Sequence, residues 1–269
     1  MIRRILLASV SVVGLTAAAS AADMYVPGPA AGPGGYKDAP WAPTWAGFYA
    51  GVNGGYGWDA DVHNIEISTS PLVLGGYPAT TKGTDAEGGF GGGQIGYNWQ
   101  GVWHPHLVIG VEADIEGSGI EDSFNNRVIN GFGDALSAKK SLDWFSTIRA
   151  RLGYSFGNVL VYGTGGFAFG GVKNQLIDVL TIPPTGTVTL QKDATATGYV
   201  VGGGVEYMIS PRWSLKAEYQ FIDLGSYKLS SPEVPPSGFA FSTNKIDNTF
   251  NTVRVGVNYH FGPSYEPLK

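Results

Sequence analysis

Cysteine is absent from the 269 residues, which excludes disulfide bonds and cysteine-based metal sites. Charged residues make up only 14% of the chain, and no stretch beyond the N-terminus is apolar for long enough to form a transmembrane helix. The sequence is instead rich in glycine, with 41 residues, and in aromatic side chains, at 13%. This composition favours closely spaced β-strands over helices.

The N-terminus has the three parts of a secretory signal peptide. Arg3 and Arg4 precede an apolar run at 5–15, and residues 19–21 read Ala-Ser-Ala, a typical cleavage sequence. A membrane anchor is the alternative, but the run is too short to span a bilayer comfortably. We therefore predict that residues 1–22 are removed. Because they carry two arginines and no acidic residue, their removal changes the formal net charge from −5 to −7, which argues against nucleic acid as a partner.

The rest of the chain divides into three parts by composition. Residues 23–44 are dominated by proline and glycine and predict a periplasmic linker. Residues 45–261 predict one β-sheet domain, and residues 262–269 form a polar C-terminal tail.

One strand shows the β pattern clearly. Over residues 107–116, apolar side chains at odd positions alternate with Gly110, Glu112, Asp114 and Glu116. Such a strand belongs either to a soluble sandwich, with its polar face in water, or to a membrane barrel, with its polar face inside.

The connections between eight predicted strands decide between these folds. Long loops at 59–86, 118–140, 173–196 and 225–247 alternate with short turns at 101–106, 156–158 and 210–212. Outer-membrane barrels have long loops outside the cell and short turns in the periplasm, whereas a sandwich has no reason for this alternation. The predicted fold is an all-β, eight-stranded antiparallel up-and-down transmembrane β-barrel. A soluble periplasmic binding barrel is disfavoured because its polar face would have to lie outside.

Aromatic residues fall at two levels of the predicted barrel, as interfacial aromatics do. The predicted periplasmic aromatic belt comprises Tyr97, Trp99, Tyr154, Tyr207, Trp213, Tyr259 and Phe261. The predicted outer belt comprises Tyr56, Trp58, Trp144 and Tyr199. In the glycine-rich fifth strand the alternation does not show clearly which side chains face outward. Leu160, Tyr162 and Val172 are assigned to the outer face.

Charged residues lie on the inward face of the predicted strands. They are Glu112, Asp114, Glu116, Asp143, Glu206 and Glu218 against Arg149, Arg151, Lys216 and Arg254. They predict either a salt-bridged plug or a polar pore, and the plug is favoured because eight strands leave room only for side chains. Positions 206 and 216 oppose each other across the turn near 211, so Glu206 is expected to pair with Lys216. Arg149 and Arg151 are expected to face Glu112 or Asp114.

Motifs for chemistry are weak in this sequence. His104 and His106 flank a proline in a turn without a nearby third ligand, and His63 has no recognisable partner spacing. The glycines at 163–168 match a dinucleotide pattern, but no helix is predicted to follow. We predict no catalytic residue, no metal site and no cofactor.

Six segments carry a resemblance to a known family: WAGFYAGVNGGYGW, GGFGGGQIGYNWQ, GVEADIEG, LDWFSTIRARLGYSF, VYGTGGFAFG and VRVGVNYHF. The chain resembles the small alphaproteobacterial outer-membrane β-barrel proteins, which include RopB-like surface proteins. This resemblance implies a barrel like the membrane domain of OmpA, surrounded by outer-membrane lipid, with a structural or surface-antigen role. It also implies insertion by the barrel-assembly machinery, which reads a terminal aromatic residue. Phe261 fits that pattern, although eight residues follow it. A narrow porin-like channel for small solutes is the alternative.

Overall fold

The computed structural model describes residues 43–60, 64–69, 79–82, 85–128, 135–180, 186–227, 241–243 and 246–261. The predicted signal peptide and C-terminal tail lie outside these residues, as does nearly all of the linker, so the domain boundaries stay predictions. No helix in this part of the chain is both long and apolar enough to cross a membrane.

The described residues form eleven strands. They are β1 Gly47–Asp59, β2 Asn64–Thr69, β3 Ala79–Lys82, β4 Glu87–Gln100, β5 Leu107–Val128, β6 Ala135–Phe156, β7 Val159–Leu180, β8 Gly186–Ser210, β9 Trp213–Tyr227, β10 Phe241–Thr243 and β11 Ile246–His260. Eight of them close into an antiparallel barrel in the order β1-β11-β9-β8-β7-β6-β5-β4. The predicted eight-stranded barrel is therefore confirmed, and β10, β2 and β3 form a separate three-stranded sheet.

The predicted long loops are too long, because four strands continue beyond the barrel. β5, β6 and β7 contain 22 residues each and β8 contains 25, whereas a tilted strand crosses a bilayer in roughly 9–11 residues. The added strand residues are mostly polar, so an apolar alternation does not reveal them. We call the end of the barrel with these extensions the upper end, and the end with the short turns the lower end.

The wall of the barrel presents apolar side chains outward. Val52, Ile95 and Val255 keep 64–66% of their surface exposed. An aliphatic belt that is exposed around a closed barrel is the arrangement expected of a surface in contact with lipid. The inward positions of the same strands carry polar and charged groups, as the alternation predicts.

The predicted inward direction of Asp143 is wrong. Asp143 is exposed and Leu142 is buried, because a β-bulge between Leu142 and Trp144 inserts one extra residue and shifts the alternation.

The phase assigned to the glycine-rich strand β7 is also wrong. Leu160, Tyr162 and Val172 are 0–5% exposed and point inward, whereas Val161 and Phe167 point outward with 46% and 69% exposure. Because glycines occupy much of this strand, few side chains are left to mark its faces.

The seven residues of the predicted periplasmic belt lie on the outer face near the lower end. Five of them are 41–65% exposed: Trp99, Tyr154, Tyr207, Trp213 and Phe261. Their rings contact one another along the rim, as in the Tyr97–Trp99 pair at 4.7 Å and the Trp213–Tyr259 pair at 5.1 Å between ring centroids. Their role at a membrane interface stays a prediction.

Candidate functional site

The middle of the lumen holds a layer of charged side chains, which we call the charged layer. It contains five carboxylates and four cations, each at most 4% exposed. They are Glu112, Asp114, Glu116, Glu206 and Glu218 with Arg149, Arg151, Lys216 and Arg254. Charges buried this deeply are costly unless they are paired. The contacts of these nine side chains therefore show whether any charge in the lumen is left without a partner.

Glu112 is at the centre of the charged layer. Its Oε1 lies 2.7 Å from the Lys216 ammonium and also accepts a hydrogen bond from Arg149, which is its Cα partner across β5 and β6. Its Oε2 accepts a 2.7 Å hydrogen bond from the Tyr49 hydroxyl. The Lys216 ammonium also lies 3.6 Å from Glu218. The Arg254 guanidinium is 3.4 Å from the same Oε1, so Glu112 has partners from four other strands.

Two arginines bridge the same two carboxylates. The Arg149 guanidinium lies 2.9 Å from Asp114 and 2.6 Å from Glu218. The Arg254 guanidinium lies 3.0 Å from Asp114 and 2.6 Å from Glu218, and 3.3 Å from Glu116. Because each guanidinium has a fixed fork of donors, this shared bridging holds β5, β6, β9 and β11 at set distances.

Arg151 and Glu206 form a second group nearer the lower end. The Arg151 guanidinium pairs with Glu206 and lies 3.6 Å above the centre of the Tyr162 ring. Glu206 Oε1 also accepts hydrogen bonds from the Ser214 hydroxyl at 2.5 Å and from the Asn258 amide at 2.8 Å. Glu206 is thus fully satisfied without a lysine.

Inward-facing glycines make room for the tyrosines of the lumen. A Cβ atom at Gly204 would lie 2.7 Å from the Tyr162 hydroxyl, and a Cβ at Gly96 would overlap the Tyr49 ring. The glycines of β4 and β8 are therefore required where these side chains cross the lumen.

The structure brings together all eight residues of the predicted lumen network but changes some of the pairs. Arg149 contacts both Glu112 and Asp114, as predicted. Glu206 and Lys216 are opposed in the β8–β9 register, as predicted, but the predicted ion pair between them is wrong.

Arg151 is the reason for the changed pairing. It is the ion-pair partner of Glu206, and it is opposed to Gly110 rather than to a carboxylate across β5 and β6. The prediction that Arg151 faces Glu112 or Asp114 is therefore wrong. Lys216 turns instead toward Glu112 on the far side of the lumen.

Two tyrosines of the network were not predicted from the sequence. Tyr49 lies at an odd, inward position of β1 among glycines, and this position is the signal that could have identified it. Tyr162, whose hydroxyl donates a 2.7 Å hydrogen bond to Glu218, was hidden by the wrong phase of β7.

Apolar side chains close the lumen on both sides of the charged layer. The lower apolar layer comprises Trp45, Val108, Leu160, Tyr162 and Met208. The upper apolar layer comprises Ala86, Phe90, Ile120, Leu142, Phe145, Ala168, Val172, Val200, Ile222, Leu224 and Phe250. The charges are therefore enclosed between two water-excluding layers.

A buried ion pair lies at the top of the upper apolar layer. The Lys140 ammonium is 2.7 Å from Asp59 Oδ1 and 4.9 Å from the centre of the Phe250 ring. The other Asp59 oxygen accepts a 3.0 Å hydrogen bond from the backbone N–H of Ala86.

A serine and a histidine meet in the lumen, but their geometry does not suit nucleophilic catalysis. The Ser214 hydroxyl lies 2.9 Å from His260 Nε2, yet it donates its proton to Glu206 at 2.5 Å. The histidine nitrogen then faces the oxygen as a donor and cannot act as its base. His260 and Ser214 are 5% and 0% exposed, and the Trp45 ring packs edge-on against His260.

The remaining histidines in the described part of the chain lie in the 101–106 turn. His104 and His106 are 5.6 Å apart between ring centroids and pack against the Tyr154 ring. Across the described residues, no three His, Cys, Asp or Glu side chains are arranged to hold a metal ion. His63 lies outside the described residues. The glycines at 163–168 lie within strand β7.

Comparison with known proteins gives consistent matches over nearly the whole chain. The family profile for the outer membrane protein β-barrel domain matches residues 5–261. The 31 kDa outer-membrane immunogenic protein of Brucella melitensis is 35% identical over 96% of this chain and 100% of its own length. The 22 kDa outer membrane protein of Rhizobium leguminosarum is 29% identical over 84% of this chain and 83% of its own. The 25 kDa outer-membrane immunogenic protein of Brucella abortus is 26% identical over 81% of this chain and 80% of its own.

Proposed function

Because this chain belongs to the outer-membrane β-barrel protein family, we propose that it is a non-catalytic surface protein whose lumen is sealed against ions and solutes. Its place is the outer membrane, where the barrel has a structural, surface-exposed role in the bacterial envelope. The upper end then lies outside the cell and the lower end in the periplasm, since barrels of this kind have their short turns in the periplasm.

The observation that carries this proposal is the sequence of three layers in the lumen. An ion entering from the periplasm would meet Trp45 and Met208, both 0% exposed. An ion entering from outside would meet Phe145 and Phe250, also 0% exposed. Between them, four cations pair with the five carboxylates of the charged layer, and an eight-stranded barrel leaves an interior that side chains can fill.

A non-catalytic role is supported by the lumen chemistry. The Ser214 and His260 pair lacks the donor–acceptor arrangement of an activated nucleophile. The buried titratable side chains form ion pairs with one another within the charged layer instead of pointing into a cleft.

The upper extensions of β5 to β8 fit a role in surface display. After a bilayer crossing of about 9–11 residues, roughly 11–16 residues of each strand remain, which supports a four-stranded sheet outside the membrane. The strands pair with one another to the ends of these extensions, so the displayed surface is a hydrogen-bonded sheet.

Planar-bilayer recording of the refolded full-length protein tests the sealed lumen. The expected result is no steady current above that of protein-free bilayers, with a general porin inserted in parallel as the conducting control. A reproducible unitary conductance would refute the sealed lumen and support the narrow channel instead.

The proposed partners are outer-membrane lipid around the apolar wall and the barrel-assembly machinery during insertion. Phe261 is 65% exposed and continues the line of Tyr259 on the outer face, where an assembly factor could contact it. Replacing Phe261 with Ser should lower the amount of folded protein in the outer membrane, and Phe261→Tyr should not. Equal assembly of both variants would exclude this residue as the recognition signal.

A further inference from the structure

We propose that Trp45 is the periplasmic stopper of the barrel: its side chain is inserted from the segment before β1 and seals the lower mouth against water. This inference rests on the proposed sealed lumen and names the residue responsible at one end. Trp45 differs from the rest of the lower apolar layer because it does not belong to a strand of the wall. Its position therefore depends on how the chain enters the barrel.

The local backbone directs Trp45 into the mouth. Gly47, the first residue of β1, has a φ of 117°, a conformation that other residues rarely adopt. The segment 43–46 thus leaves the line of the wall at this glycine. The backbone N–H of Trp45 donates a 2.7 Å hydrogen bond to the side-chain oxygen of Gln100, which fixes the segment beside the end of β4.

The indole then crosses to the opposite side of the barrel. In the strand order, β7 lies opposite β1, and the indole Nε1 donates a 3.1 Å hydrogen bond to the carbonyl of Gly157 in the turn before β7. The ring packs against Leu160 and Met208 and lies edge-on to His260, with 5.9 Å between ring centroids. Trp45 is 0% exposed, so the mouth is closed on all sides of the ring.

The charged layer begins directly above this ring. Tyr162 belongs to the lower apolar layer through its ring and to the charged layer through its hydroxyl, and Arg151 stacks on its face. Removal of the indole would therefore admit periplasmic water to Arg151 and Glu206. The upper apolar layer would remain, so the barrel would become open at one end without becoming a pore.

Cysteine labelling can test this, because the natural chain contains no cysteine. Ser155 faces inward at the lower end, is 3% exposed, and its hydroxyl bonds only a turn carbonyl, so Ser155→Cys is a mild reporter. Thr252→Cys is the matched reporter beside the upper apolar layer, since Thr252 is on the inward face of β11 and is 1% exposed. Each reporter is placed in the full chain with Trp45, Trp45→Ala or Trp45→Phe, refolded in lipid vesicles, and treated with a charged, water-soluble maleimide.

Trp45→Ala should raise the labelling rate of Cys at position 155 by about tenfold or more, since labelling of a closed site follows the population of its open form. The same change should leave the rate at position 252 unaltered, and Trp45→Phe should keep most of the protection at position 155. The exposed Trp103→Ala, in the 101–106 turn, serves as the tryptophan control and should change neither rate.

Heat-dependent gel mobility confirms in each case that the barrel is folded. Equal labelling of position 155 with and without the indole would overturn the proposal. A parallel rise at both reporter positions would overturn it as well, because it would show general loosening instead of a local opening. A conducting wild type would contradict the sealed lumen but would leave the two labelling rates measurable, so the two failures can be told apart.

Discussion

Removing the charge of Lys216 gives the sharpest test of the charged layer. Its ammonium lies 2.7 Å from Glu112, and the side chains are 0% and 1% exposed. At an effective dielectric constant of about 20, this separation corresponds to an attraction of roughly 6 kcal/mol. The cost of burying the ammonium, several kcal/mol, is recovered when the charge is removed. Lys216→Met should therefore lower the free energy of unfolding by about 2–4 kcal/mol, because five carboxylates would then share three cations.

A double-mutant cycle identifies the partner. Combining Lys216→Met with Glu112→Gln removes one charge of each sign, so the double variant should be more stable than the sum of the single changes by about 1–3 kcal/mol. The same lysine change combined with Glu206→Gln should be additive within about 0.5 kcal/mol, because Glu206 is paired with Arg151. Urea titrations of barrels refolded in vesicles, followed by tryptophan fluorescence and gel mobility, measure both cycles. A coupling to Glu206 larger than the coupling to Glu112 would refute the pairing found in the structure.

Three further predictions concern the wall, the topology and the surface ion pairs. Val255→Arg places a charge on the lipid-facing wall and should lower the free energy of unfolding by about 2–4 kcal/mol if the residue is near the midplane. The same urea titrations measure this change, with Val255→Ile as the control. Protease added to intact cells should cut within 129–134 and spare 101–106. Cleavage only within 101–106 would show that the barrel has the opposite orientation in the membrane. The hydrogen bond from Lys173 lowers the pKa of Asp143. The ion pair therefore stabilises the protein above the ordinary pKa of an aspartate. This stabilisation is lost as the pH falls through the lowered pKa of Asp143. Asp143→Asn should therefore cost at most about 0.5 kcal/mol at pH 7, since the pair is exposed, and nothing at strongly acidic pH; a cost that grows on acidification would contradict this.

The barrel wall was predictable because its signal is local. Alternation along a single strand, as at 107–116, shows which side chains share a face, and most strands of the wall repeat that signal. Predictions failed where the backbone breaks the period of two, as at the bulge beside Asp143, or where glycines leave no side chains to read, as in β7.

The ion pairs were only partly predictable because they cross the lumen. The opposition of Glu206 and Lys216 follows from a short turn, which fixes the register of neighbouring strands. The contact of Lys216 with Glu112 joins β9 to β5, which are not neighbours in the barrel, and no local pattern specifies it. Trp45 was missed as a lumen residue for the same reason, since its partners lie on the far side of the mouth.

The charged layer also bears on how the barrel closes during folding. The seam joins the first and last strands, β1 and β11, and Arg254 lies opposite Gly55 there. Because β11 is also paired with β9, where Arg254 is opposite Glu218, a slip of one residue at the seam would exchange the faces of β1 instead. It would take Tyr49 away from Glu112 and turn the lipid-facing Val52 into the lumen. A misregistered closure is therefore penalised on both faces of the wall at once. The polar contacts inside the barrel and the apolar side chains outside it therefore favour the same single register in which the two ends of the sheet can meet.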